Sequence, residues 1–167
     1  MSWSRRALLT GALPLLAAGC FRPMLAEDSG TAELRGRIAL PAVDGALGYH
    51  LVRRLEERLG RPADPEFRLT VAVATRDRGL AITQDNSVTR RRISATADWR
   101  LIRTGAAEPV LSGSEVTRSG YNATASLYAT RTAARVAEER LAQDLAERIS
   151  RSILARADSI AGAGGGA

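Results

Sequence analysis

The sequence predicts an α+β fold, a two-layer sandwich in which a mostly antiparallel sheet of about four strands has two helices packed on one face. Two observations predict it. Apolar and polar residues alternate, as in half-buried strands, in several segments between residues 34 and 118. Apolar residues recur with a helical period in two others, one before most of the strands and one after all of them. The other face of the sheet is then exposed to solvent or covered by a partner.

The first two predicted elements are a strand and an amphipathic helix. Alternation runs from Leu34 to Leu40, and Pro41 ends the strand. Asp44 is placed to cap the helix that follows, and Gly60 ends it. One side of this helix is expected to face the core because leucine recurs there every four residues, at Leu47, Leu51, Leu55 and Leu59.

The middle of the chain predicts the remaining strands. A turn is expected at Arg76–Gly79, because aspartate and glycine are common in turns. The strand at residues 110–118 contains Ser112, Gly113 and Ser114, so its register stays open. The predicted strand segments are Phe67–Val73, a short one that starts at Leu80 and Ile82, Ile93–Leu101, and Val110–Arg118.

A long helix begins near Ser126 and is the last predicted element. Its apolar face is rich in alanine at the start and in leucine and isoleucine later, which predicts close packing at one end and a thicker core at the other. The glycine-rich end of the chain predicts disorder. We therefore expect a folded domain at residues 34–157 and a disordered tail at residues 158–167.

The amino terminus is typical of a bacterial lipoprotein signal. Arg5 and Arg6 precede a short apolar run that ends in small residues and Cys20, the only cysteine in the chain. We interpret residues 1–19 as a signal peptide, Cys20 as the lipidation site and residues 20–33 as the lipidated tether. The alternative is a buried helix at residues 7–18 with Cys20 in the core. Pro14 and the lone thiol favour the signal. Sec and twin-arginine export both stay open.

The positive charge of the chain favours anionic partners. Its residues do not indicate any class of enzyme. The formal net charge is +6, or +4 without the two leader arginines, and all 24 basic residues are arginine. Lipid phosphates suit an exported basic protein, whereas nucleic acid is not an expected partner. His50 is the only histidine, so the usual zinc sites are excluded and a catalytic His50 has no nucleophile beside it. No metal, cofactor or catalytic residue is expected.

Arginines concentrate at two neighbouring segments of the predicted sheet. Arg90, Arg91 and Arg92 lead into the longest strand, and Arg76 and Arg78 lie at the preceding turn. If the two segments form a hairpin, their guanidinium groups gather near one end of the sheet. Such groups bind phosphates bidentately, as in lipopolysaccharide (LPS). The other interpretation is a solvated edge whose charges prevent aggregation.

The chain resembles the LPS-assembly lipoproteins of the LptE family, in their alphaproteobacterial form. The similarity lies in Cys20-Phe21-Arg22-Pro23, in Tyr121-Asn122 and Tyr128 before the long helix, and in the order of elements. The resemblance implies a protein anchored at the periplasmic face of the outer membrane that assembles with, and plugs, the LPS-translocating β-barrel LptD. It implies no catalytic residue. The resemblance also implies binding of lipid A phosphates at a basic edge, but it carries over no particular binding residue.

Two other functions compete with this one. An auxiliary lipoprotein of an ABC-type lipid transport system is also a small exported α+β domain with an acylated cysteine. An exported enzyme is the second alternative, and the chain lacks the nucleophile and base that this would need. Co-purification distinguishes the first two functions, because one requires an outer-membrane barrel and the other an inner-membrane transporter or a periplasmic lipid shuttle.

Overall fold

The computed structural model describes residues 30–82 and 88–162 of the 167-residue chain. The predicted signal peptide, Cys20 and most of the predicted tether lie outside the described residues. The elements are, in chain order, α1 (Gly30–Leu34), β1 (Ile38–Ala39), α2 (Gly45–Leu59), β2 (Phe67–Ile82), β3 (Val88–Arg103), β4 (Pro109–Asn122), α3 (Leu127–Leu154) and α4 (Ala157–Gly162).

The strands form one sheet in the order β1-β2-β3-β4. Strands β2, β3 and β4 are antiparallel neighbours, and their register places Val71 opposite Trp99 and Trp99 opposite Gly113. Strand β1 pairs in parallel with β2, and α2 forms the connection between them. The predicted α+β fold with a mostly antiparallel sheet of four strands is confirmed.

The core lies between one face of the sheet and the two long helices. Helices α2 and α3 pack against each other, and α3 lies across β3 and β4. Small side chains on α3 allow this close approach, because Ala137, Ala142 and Ala146 are buried. The alternation predicted along β3 is also present. Its buried positions are Ile93, Ala95, Ala97, Trp99 and Leu101, and they meet the buried leucines of α2, Leu51, Leu55 and Leu59.

The ends of α2 are close to those predicted, but the cap differs. Asp44 occupies the N-cap position, yet its side chain makes no capping hydrogen bond. Gly60 ends the helix with φ 85°, and its N–H donates to the carbonyl oxygen of Glu56 at 2.9 Å. A positive φ favours glycine at this position.

The predicted strand at residues 34–40 is wrong over most of its length. Leu34 is the last residue of α1, and only Ile38 and Ala39 pair with β2. Gly36 interrupts the alternation because it has φ 76° and donates its N–H to the carbonyl oxygen of Leu59 at 2.8 Å. The chain therefore turns at the point where the sequence pattern continues.

The predicted turn at Arg76–Gly79 is also wrong, and so is a separate strand starting at Leu80. Strand β2 continues from Phe67 to Ile82 because β3 is long enough to pair along it, with Arg78 opposite Arg92. The register is irregular only beyond Gly79. Pairing with a long neighbour thus outweighs the local turn preference of these residues.

The ordered body extends past residues 34–157 at both ends. Helix α1 lies within the range expected for the tether, and α4 lies mostly within the range expected for the tail. These helices pack against each other, and Thr31, Leu34, Ala157 and Ile160 are buried. Burial of these apolar groups explains why both short segments are ordered. No described helix is long and apolar enough to cross a membrane.

Gly113 leaves room for the largest side chain of the core. A Cβ atom added there would lie 2.7 Å from Cζ2 and 2.9 Å from Cε2 of Trp99, which is itself 2% exposed. The indole therefore fills the space that any other residue at position 113 would occupy.

We expect Gly113→Ala to lower the free energy of unfolding by about 1–3 kcal/mol, because the added methyl group overpacks the contact with the buried indole. Urea unfolding followed by circular dichroism measures the loss. Gly120→Ala is the matched control on the same strand, because its added Cβ would meet nothing nearer than the Arg91 carbonyl oxygen at 3.5 Å. Equal stability of the two variants would contradict the prediction.

Candidate functional site

None of the helices in residues 30–82 and 88–162 covers the second face of the sheet, and we call it the open face. It carries the even-numbered side chains along the regular parts of β2, β3 and β4, because the odd-numbered ones, such as Leu69 and Trp99, point into the core. Its centre is built from small side chains. These are Ala72, Ala74, Ser94, Thr96, Ser112 and Ser114.

The open face is strongly basic. Along the regular parts of the three strands its only acidic side chain is Asp98. Its seven arginines are Arg68, Arg76, Arg78, Arg90, Arg92, Arg100 and Arg118. A wet sheet face is normally polar, but it usually mixes charges of both signs. The face therefore presents a positive field to whatever lies against it.

Five of these arginines lie together at the end of the sheet where β2 ends and β3 begins. Arg78 is opposite Arg92, and Arg76 is opposite Ser94, which is opposite Arg118. Arg90 follows on β3, opposite Asn122. We call this set, Arg76, Arg78, Arg90, Arg92 and Arg118, the arginine cluster. Residues directly opposite each other have Cβ atoms about 4.5–5.5 Å apart, so these guanidinium groups can reach a common anion.

The arginine cluster is available for binding. All five side chains are exposed, and none makes an ion pair or a side-chain hydrogen bond with another described residue. An open cavity of about 690 Å³ lies beside three of the five, Arg90, Arg92 and Arg118, and Arg91 also lines it. Exposed guanidinium groups without acidic partners keep their full capacity to bind phosphate oxygens.

Arg91 does not belong to this cluster, although the sequence grouped it with Arg90 and Arg92. It points to the helix side of the sheet, where its Nε lies 3.2 Å from both carboxylate oxygens of Asp77. The Tyr121 hydroxyl donates to Asp77 Oδ2 at 2.7 Å. The hydrogen bond with Asp77 raises the pKa of Arg91. Burial raises the pKa of Tyr121, with the Asp77 hydrogen bond as the second cause. Arg91 therefore already has an anionic partner.

The structure thus brings together four of the five arginines that the sequence singled out. Arg76, Arg78, Arg90 and Arg92 share the open face. Sequence reasoning missed Arg118, because the serines and glycines of β4 left its register open. The signal that finds Arg118 is the pairing of β3 with β4, which the sequence alone does not define.

The carboxylates between α2 and α3 bind arginines across the helix pair. Arg54 donates from Nε to Glu147 at 2.8 Å and from a terminal nitrogen to Glu57 at 2.7 Å. Arg58 adds an ion pair with Glu147 at 3.2 Å. The hydrogen bond from Arg54 lowers the pKa of Glu57. Glu147 therefore connects the two helices.

His50 lies at the same helix pair and not in a catalytic arrangement. Its Nδ1 is 3.9 Å from a carboxylate oxygen of Glu139, and its ring packs edge-on against Tyr49. Residues 30–82 and 88–162 contain no group of three or more histidine, cysteine, aspartate or glutamate side chains that could hold a metal ion.

These features define a class: small two-layer α+β domains whose sheet keeps one face free of helices. The model of the LptE family, described as "Lipopolysaccharide-assembly", matches residues 32–156. The chain therefore belongs to the LptE family of LPS-assembly proteins. By sequence, no curated protein is significantly similar to it.

Solved structures of lipoproteins share the fold. A candidate lipoprotein from Caulobacter crescentus CB15 is similar at a TM-score of 0.62 and 26% identity, over 81% of this chain and 98% of that one. Rare lipoprotein B from Shewanella oneidensis is similar at a TM-score of 0.59 and 13% identity, over 74% of this chain and 98% of that one. A minor lipoprotein from Acinetobacter baumannii is similar at a TM-score of 0.55 and 17% identity, over 71% of this chain and 89% of that one. At such low identity the last two show the fold alone.

Proposed function

We propose that the protein is an outer-membrane lipoprotein that supports LPS transport to the cell surface as the plug and assembly partner of an LptD-like β-barrel. The observation that carries this proposal is the family match over residues 32–156. The proposal requires no catalytic step. An auxiliary role in an ABC-type lipid transport system has no observation of its own in favour of it.

The shape and polarity of the body support the role of a plug. A barrel lumen is commonly polar, so a protein within it needs a rigid body with a polar surface. The open face offers small polar and basic side chains, and the ion pairs of Arg54 and Arg58 with Glu147 hold α2 against α3. Anchoring would come from fatty chains attached to Cys20, at the periplasmic face of the outer membrane.

The arginine cluster supports a second part of the proposal, direct binding of LPS. The lipid A portion of LPS carries phosphates on sugars, and planar guanidinium groups bind such phosphates through two parallel hydrogen bonds. The cluster offers five arginines without an acidic partner among the described residues, and three of them, Arg90, Arg92 and Arg118, line an open cavity of about 690 Å³. Arg91 is left out of this site because Asp77 already neutralises it.

We expect the Arg92→Ser, Arg118→Ser double variant to bind purified LPS roughly threefold to tenfold more weakly at 0.1 M salt, since each exposed charge contributes up to about 1 kcal/mol. At 1 M salt the difference should largely disappear, because the Debye length falls from about 10 Å to about 3 Å. Fluorescent LPS titration of the purified domain measures both affinities.

The matched control is the Arg68→Ser, Arg100→Ser double variant, which removes the same charge from the other end of the open face. It should bind LPS nearly as well as the unaltered chain does. Equal losses in both double variants would indicate non-specific attraction and would contradict a site at the cluster. The role as a plug is tested separately, by affinity purification of the full chain from outer membranes; recovery of an inner-membrane transporter instead of a barrel would overturn it.

A further inference from the structure

Strand β4 is one of the two edge strands of the sheet, and its outer edge has no strand neighbour among the described residues. Strand β3 pairs with its inner edge, and α3 packs on its helix side through contacts such as Thr117 with Asp144 and Glu115 with Ser152. Along β4, exposed or half-exposed positions extend over nearly the whole strand. The outer edge is therefore accessible from the side.

The backbone register identifies which groups point outward. The N–H of Ala123 donates to the carbonyl oxygen of Thr89 at 3.0 Å, and the same register continues through Arg91 opposite Tyr121. In an antiparallel pair, hydrogen-bonded and non-hydrogen-bonded positions alternate. The odd-numbered residues of β4 thus bond to β3. The even-numbered ones direct N–H and C=O to the free edge: Ser112, Ser114, Val116, Arg118, Gly120 and Asn122.

This edge lacks most of the features that prevent strands from adding to a sheet. Edge strands of natural proteins are protected by proline, by charged residues such as lysine, by bulges, or by being very short. Strand β4 has 14 residues, its only proline is the first residue, and its pairing with β3 is irregular only near Leu101 and Ile102. Six consecutive outward positions, with Arg118 as their one charged side chain, remain regular.

The positive charge near the outer edge of β4 favours binding of an acidic segment. An added strand would lie beside Arg118 on the open face, with Arg92 and Arg76 on the next two strands. Acidic side chains on the added strand would find partners there, because opposite charges on neighbouring strands attract. A second copy of this chain fits poorly, since its β4 would bring another Arg118 and another basic open face alongside the first.

We propose that the outer edge of β4 binds an extended, acidic segment of the barrel partner, which adds to the sheet as a fifth strand. This proposal rests on the proposed function, because it takes the partner from there. Main-chain hydrogen bonds to the six outward positions supply affinity, and the arginines beside them supply selectivity for acidic side chains.

The test uses the full chain, co-expressed with its barrel and purified through an affinity tag. Ser114→Pro removes one outward N–H and leaves the bonds between β3 and β4 intact, so we expect at least fivefold less barrel to be retained. Ser114→Ala keeps the N–H and should retain the barrel fully. If folded Ser114→Pro retains as much barrel as Ser114→Ala does, strand addition is overturned while the plug function stands. If the unaltered chain retains no barrel, both proposals fail.

A second measurement does not depend on whether the proline variant folds. A photoactivatable residue is placed in turn at Ser112, Ser114 and Val116, and the cross-linked peptides are identified by mass spectrometry. Strand addition predicts cross-links that advance by about two residues per step along one acidic barrel segment. Cross-links to a second copy of this chain, or to scattered barrel sites without a register, would overturn the proposal.

Discussion

Trp99→Ala is expected to lower the free energy of unfolding by about 3–5 kcal/mol, because it removes a large, fully buried side chain and leaves a cavity that the sheet and helices cannot fill. Trp99 is 2% exposed and packs over Gly113 on the neighbouring strand. Domains of this size have about 5–15 kcal/mol of stability, so the variant loses a large part of it. Urea unfolding followed by far-ultraviolet circular dichroism measures the loss without relying on tryptophan fluorescence.

Trp99→Phe provides the comparison that isolates the mechanism. The indole Nε1 is buried and has no hydrogen-bond partner among the described residues. A buried donor without a partner carries a penalty of about 1–3 kcal/mol, which phenylalanine does not have. We therefore expect Trp99→Phe to cost much less than Trp99→Ala. A phenylalanine variant as unstable as the alanine variant would show that the ring volume is not what stabilises this core.

Cys20→Ser is expected to abolish acylation completely, because serine lacks the thiol that would form the thioether bond. Two or more fatty chains bind a protein stably to a bilayer, whereas none leaves only weak surface attraction. We expect loss of labelling by an alkyne fatty acid, together with an unprocessed or mislocalised precursor. Membrane fractionation and in-gel fluorescence measure both.

Ser29→Ala is a suitable control because it alters a hydroxyl group in the expected tether and keeps the thiol. It should be labelled like the unaltered chain. Persistent labelling of Cys20→Ser would refute the lipoprotein signal and leave the arrangement in which residues 7–18 form part of the core.

The sequence predicts those elements whose period is set by burial on one side. The leucines of α2 and the alternating residues of β3 have a single apolar face, and Leu51, Leu55 and Trp99 are buried where the pattern puts them. The pattern is less informative where a distant contact decides the structure. Gly36 turns the chain because of its bond to Leu59, and the turn residues of β2 stay extended because β3 pairs with them.

The sequence predicts the approximate location of the candidate site but not all of its residues. A run of consecutive arginines shows that charge accumulates near one end of the sheet. It does not show that Arg90 and Arg92 face one way and Arg91 the other, because the predicted strand begins only at Ile93, and the pairing with β2 and β4 is what extends the alternation back to these arginines. Arg118 lies about 26 residues from this run, and only the pairing of β3 with β4 brings it close.

The packing of α1 against α4 fixes the position of the first described residues relative to the sheet. The described chain begins at Gly30 and reaches the sheet where Ile38 pairs with Phe67, at the beginning of β2. Arg78 lies 11 residues further along that strand, which corresponds to about 36 Å at the usual rise. If the arginine cluster binds phosphates as proposed, it would do so at the end of the sheet remote from the pairing of Ile38 with Phe67.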